Sequence, residues 1–99
     1  MKILALEKEV PGVSDEQFTE EILGAEARKA WELYQSGVLR ELYFSADKDE
    51  AVLVLECEST DEARRALSEL PLVCAGLIDF QVIPLVAYPG FARLFGRKP

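Results

Sequence analysis

Apolar positions along this chain follow two kinds of spacing. Between Phe18 and Leu33 they recur at the helical period. With Phe18 at 0° and 100° per residue, Ile22 falls at about 40°, Leu33 at about 60°, Ala30 at about 120° and Leu23 at about 140°. Elsewhere they form short runs: Ile3 to Leu6, Leu39 to Ser45, Ala51 to Cys57 and Ile78 to Val86. Such runs, bounded by turn residues, read as strands. Pro11-Gly12 ends the first. Ser14 followed by Gln17 is a capping box that opens a helix from about Asp15 to Gln35, and Gly37 stops it. Ala46 to Glu50 is a polar hairpin connection between the second and third strands. Ser59-Thr60-Asp61-Glu62 opens a second helix that ends near Leu70-Pro71.

The resulting order, βαββαβ, is the split βαβ or ferredoxin-like arrangement of the α+β class. It predicts a four-stranded antiparallel sheet with two helices on one face. The third and fourth strands, AVLVLEC and IDFQVIPLV, are apolar on both phases. Continuous apolar runs imply that both faces are covered. The helices cover one, so a second copy is expected on the other, giving a dimeric α+β barrel. In the fourth strand Ile78, Phe80 and Val82 suit the helix side. Asp79, Gln81, Ile83 and Leu85 then point into the space between the two sheets, where a pocket could lie. The alternative for Asp79 is a solvated position at the start of the strand.

At 99 residues the chain is read as a single domain, residues 1–99. Residues 88–99 carry too many apolar side chains for a free tail and are read as an arm that packs on a neighbouring subunit. The net charge is −7, with 18 acids against 11 bases, which disfavours nucleic acid or an anionic membrane as the main partner. The most apolar stretch, Leu70 to Leu85, is broken by two prolines, a glycine, an acid and an amide, and is too short to span a bilayer. No signal peptide is recognisable after Met1. Cys57 and Cys74 have no metal-like spacing. They read as small core fillers in a cytoplasmic, reduced protein. There is no histidine, which removes His-based nucleophile pairs, His-ligated zinc and His as a general base. Neither a metal nor a cofactor is expected.

Glu26 is the sharpest chemical clue. It falls at about 80° on the helix, in the middle of the apolar arc, with Lys29 at its edge at about 20°. Acids are seldom buried without a partner. A carboxylate held among apolar groups has a raised pKa, as a general acid or base working near neutrality requires. Two structural readings stand beside this: Glu26 reaching a gap at the helix edge, or Glu26 paired with Lys29 or Arg40. Arg40 alternates with Leu42 and Phe44, while Glu41 shares a phase with Leu39 and Tyr43. Arg40 would suit an anionic ligand through bidentate contacts, or stand solvated at the strand end. Trp31, at about 220°, lies off the core arc and hints at a contact surface.

The segment Leu70-Pro71-Leu72, then Ile78-Asp79-Phe80-Gln81-Val82-Ile83-Pro84-Leu85 and Tyr88-Pro89, resembles the C-terminal half of muconolactone isomerases. The likeness extends back through Gly37-Val38-Leu39-Arg40-Glu41-Leu42-Tyr43 to Glu26, which falls on an acid of that family's first helix. The chain departs from the family pattern at Glu41, Tyr43, Phe44 and Tyr88, and two residues are inserted between Leu72 and Ile78. The resemblance implies barrel dimers or larger homo-oligomers, pockets near subunit contacts, and a cofactor-free proton shift in a small unsaturated lactone or related organic acid. It implies Glu26 as the catalytic acid/base and Arg40 as the carboxylate anchor; Tyr43, Asp79 and Gln81 complete the expected substrate-binding set. The other function the sequence allows is a non-catalytic oligomeric module that binds a small ligand or a protein on the same scaffold.

Overall fold

A computed structural model describes residues 1–96. Four strands form one antiparallel sheet: β1 (Lys2–Glu9), β2 (Leu39–Phe44), β3 (Ala51–Glu56) and β4 (Ile78–Pro84), in the spatial order β2-β3-β1-β4. Three helices, α1 (Glu20–Gln35), α2 (Thr60–Ser68) and the single turn α3 (Pro71–Cys74), complete the fold. The expected α+β class and sheet are therefore present. The helices pack on one face, α1 against β2 and α3, and α2 against β4 and α3.

The alternation along the strands decides what is buried. Ile3 and Ala5 of β1, Leu53 and Leu55 of β3, and Ile78 and Phe80 of β4 face the helices and are buried. Leu33 of α1 and Ala63 and Leu67 of α2 close over them. Each methylene buried in this layer contributes about 0.8 kcal/mol. The opposite phase forms an open face. Cross-strand neighbours Leu4 with Val54 and Ile83, and Leu6 with Val52 and Gln81, place aliphatic side chains at its centre.

Three local features differ from the sequence reading. Asp15–Gln17 is a separate 3-10 turn, in which Gln17 Oε1 accepts the Ser14 N–H at 2.9 Å. The helix proper begins after Thr19, whose hydroxyl accepts the Ile22 N–H at 3.2 Å. Threonine is itself a strong N-cap, so it restarts the chain one turn later than the Ser14 box predicts. Second, α3 occupies what was read as loop, with Pro71 at its first position, where a missing N–H costs nothing. Third, the register of β2 on β3 shifts between Leu39 and Glu41. This bulge puts Leu39, Leu42 and Phe44 on the helix side, opposite Leu55, Leu53 and Ala51. An extra residue in one strand reverses the alternation at that point. Arg40 therefore leaves the phase of Leu42 and Phe44 that simple alternation gave it. Gly37, at φ 86°, makes the turn from α1 into β2, a conformation other residues rarely adopt.

After β4 the chain runs through Val86 to a 3-10 segment at Pro89–Phe95. Tyr88 packs edge-on against Phe91, with ring centroids 5.1 Å apart, and its ring lies where a side chain at Gly90 would stand. Yet Val86, Leu94 and Phe95 are 87%, 76% and 78% exposed. The radius of gyration, 16.2 Å, exceeds the value of about 13 Å for a compact chain of this length. The segment thus extends away from the sheet. The last three positions of the expected arm, 97–99, lie outside the described residues.

Candidate active site

A mostly apolar hollow lies between α1 and the helix-side face of the sheet, rather than in the space beyond the open face. It is a cavity of about 380 Å³, within the range of small-molecule sites. Leu23, Ala30 and Leu33 of α1 form one wall, and Leu42, Leu53 and Phe80 of the sheet form the other. Leu23, Leu42 and Phe44 are partly exposed at its rim. Glu26 projects into this apolar space, as its place on the helical wheel required.

The α3 turn explains how Glu26 is held. The N–H groups of a first helical turn have no partner within the helix. Pro71 has none to offer, so Leu72 presents the next, and Glu26 Oε1 accepts it at 2.9 Å. Among the described residues, no cation forms an ion pair with Glu26. Lys29 lies 3.6 Å from Glu32 and 3.8 Å from Glu69 instead. Burial pushes the Glu26 proton affinity up most strongly; the Leu72 N–H draws it down, and the nearby Glu7 charge raises it again. The net direction is up from the ordinary 4.5.

Glu7 is the residue that the sequence reading missed. Extending β1 past Leu6 continues the phase of Ile3 and Ala5 through Glu7, which carries it into the cavity wall. Its Oε1 accepts the Ala51 N–H at 2.9 Å. The signal was present in the period of two, but the apolar run stops at Leu6. Asp49, in the β2–β3 turn, is the third acid on the lining.

The other expected binding residues stand elsewhere. Arg40 is exposed beside the bulge, and its Nε donates to Gly37 O. Tyr43, on the open face, donates its hydroxyl to Glu41 Oε1 at 2.8 Å, and that bond raises the phenol pKa. Asp79 accepts from Phe80 N at 2.8 Å and lies 3.6 Å from Lys8. Gln81 pairs with Leu6 on the open face. None of these four lines the Glu26 cavity of a single chain. Cys57 is buried, whereas Cys74 is exposed, contrary to its reading as a core filler. Among the described residues, no group of three His, Cys, Asp or Glu side chains is arranged to hold a metal, and no helix is long and apolar enough to cross a membrane.

A four-stranded antiparallel sheet backed by helices, with a single helix-borne carboxylate reaching an apolar hollow between the layers, defines a class of small α+β proteins. By sequence the chain belongs to the muconolactone delta-isomerase family, whose model matches residues 3–90. Its fold is similar to that of a crystalline muconolactone isomerase, with a TM-score of 0.73 and 22% identity over 90% of this chain and 92% of that one. It is also similar to 5-chloro-2-hydroxyhydroquinone dehydrochlorinase (TftG) from Burkholderia phenoliruptrix AC1100, solved with 2,5-dihydroxybenzoquinone. That match has a TM-score of 0.65 and 22% identity over 89% of this chain and 96% of that one. No curated protein matches by sequence.

Proposed function

We propose that this protein is a cofactor-free isomerase that moves a proton within a small unsaturated lactone or related organic acid, with Glu26 as the acid/base. The observation that carries the reading is the Glu26 carboxylate itself. It stands in an apolar cavity, fixed by one backbone N–H and not neutralised by Lys29 or Arg40. In a β,γ-unsaturated lactone the carboxylate would take a proton from the carbon between the carbonyl and the double bond. The C–H electron pair then spreads into a dienolate. Protonated Glu26 returns the proton to the γ carbon, and the double bond moves into conjugation with the carbonyl. Raised proton affinity favours both halves of this exchange near neutrality.

The open sheet face and the exposed arm support assembly into a homodimer or larger homo-oligomer, with a second copy covering Leu4, Leu6, Val52 and Val54. Arg40, Tyr43, Asp79 and Gln81 would meet a ligand only at such a contact. Two free cysteines, one of them exposed, support a reducing, cytoplasmic setting.

A binding module without catalysis is the second reading, and one observation favours it. The Leu72 and Ala51 N–H groups beside the cavity are both taken by carboxylates, leaving neither for a dienolate oxygen. Conversion of α-angelica lactone to its conjugated isomer, followed by proton NMR, separates the two. The isomerase reading predicts catalysis by the wild type and a loss of about 100-fold or more in Glu26→Gln. Equal rates for the folded variant and the wild type would favour the binding module.

A further inference from the structure

Every charged side chain on the cavity lining is an acid: Glu7, Glu26 and Asp49. Lys29 is engaged with Glu32 and Glu69, Lys8 with Asp79, and Arg40 with the Gly37 carbonyl. A neighbouring depression carries the same sign. It shares Glu7, Phe18, Asp49 and Ile78 with the cavity, and adds Glu9, Asp15 and Glu50 against the single cation Lys48. A cleft lined by one sign of charge between low-dielectric walls concentrates its field and repels ions of that sign. The remaining walls are aliphatic and aromatic, which favours a flat ring.

The carboxylates also define what the ring should carry. Glu7 Oε1 is held by the Ala51 N–H and Glu26 Oε1 by the Leu72 N–H. Among the described residues, no hydrogen bond reaches the second oxygen of either. An ionised carboxylate only accepts hydrogen bonds, so its natural counterpart is a hydroxyl or enol donor. From this geometry we propose that the cavity selects uncharged ring compounds bearing hydroxyl or enol groups and rejects carboxylates, with Glu7 as the specificity-determining residue. This rests on the reading of the Glu26 cavity as the ligand site and narrows its substrate class to uncharged rings, leaving out the organic acids.

The test compares hydroquinone with 2,5-dihydroxybenzoate, which share a ring and two hydroxyls and differ by one carboxylate. Binding to the intact protein is measured by calorimetry at pH about 7, where the added carboxyl is ionised. The expected result is a dissociation constant at least about tenfold lower for hydroquinone. Glu7→Gln keeps an oxygen for the Ala51 N–H, and its thermal melt reports that the fold survives. This variant is expected to narrow the gap, chiefly through tighter binding of 2,5-dihydroxybenzoate. Equal or tighter binding of 2,5-dihydroxybenzoate by the wild type, binding of neither compound, or an unchanged gap in folded Glu7→Gln would overturn the proposal. Binding needs no turnover, so the outcome is separable from catalysis. A hydroquinone preference without lactone isomerisation would remove the isomerase reading and leave the selectivity. Lactone isomerisation with tighter 2,5-dihydroxybenzoate binding would do the reverse.

Discussion

One carboxylate sets the character of the site. Glu26 is kept in an apolar wall by a single backbone donor, with a second acid near enough to raise its proton affinity further. An acid whose native proton affinity lies above its free value of 4.5 keeps its proton where the unfolded chain has lost it. The unfolded state then binds fewer protons, so stability falls as pH rises from 4.5 through the native value and levels off above it. Glu26→Gln retains the acceptor for Leu72 and removes the titration. Relative to wild type, the variant should therefore gain stability across that window and show a constant difference below it, in denaturant melts at stepped pH. A difference independent of pH throughout would contradict the assignment. Glu26 was legible in the sequence because its angle on α1 depends only on Ile22, Ala30 and Leu33, which share the helix. Glu7 was not, because a strand read by its apolar run ends at Leu6, one residue before the acid that lines the cavity.

At the scale of elements, α3 and the β2 bulge do most to shape the site, and neither can be read from periodicity. A four-residue helix is shorter than the window in which a helical period shows. Its one clear sign is Pro71, which equally marks the end of α2. The bulge changes the phase of β2 by one residue, so Glu41 and Tyr43 take the side opposite to the one strict alternation from Leu39 gives them, and Arg40 parts from Leu42 and Phe44. The longer signals held. Ser59 caps α2 through the Glu62 N–H at 3.1 Å, and Glu62 Oε2 accepts the Glu58 N–H at 3.0 Å. The helix packs on both β4 and α3. Ser59→Ala is expected to cost about 1 kcal/mol in chemical denaturation. A loss within error of zero would show that tertiary packing alone fixes this helix end.

For the whole molecule, the described chain has one covered and one uncovered sheet face. Val54 and Leu55 are adjacent, yet Leu55 is fully buried under the helices while Val54 faces outward among Leu4 and Ile83. Aliphatic residues grouped on an open face favour association, and a domain of this size gains stability from it. Wild-type protein should sediment as a dimer or larger at micromolar concentration, and Val54→Lys should shift it to the monomer. A monomeric wild type would remove the second copy from the account, and with it the proposed place of Tyr43 and Gln81 near a ligand. The fold was readable because the element order and the double-faced strands β3 and β4 are whole-chain patterns. The position of the cavity was not, since packing of α1 on the sheet decides which side of the sheet holds space.

The most direct test of a proton-carrying Glu26 is a carbon-13 NMR titration of glutamate side-chain carboxyls in the intact protein, with Glu26→Gln to identify the resonance. The account predicts one signal, missing in the variant, that titrates above 4.5 and shifts when hydroquinone is added. A Glu26 signal that titrates at or below 4.5 and does not respond to the ring compound would contradict it.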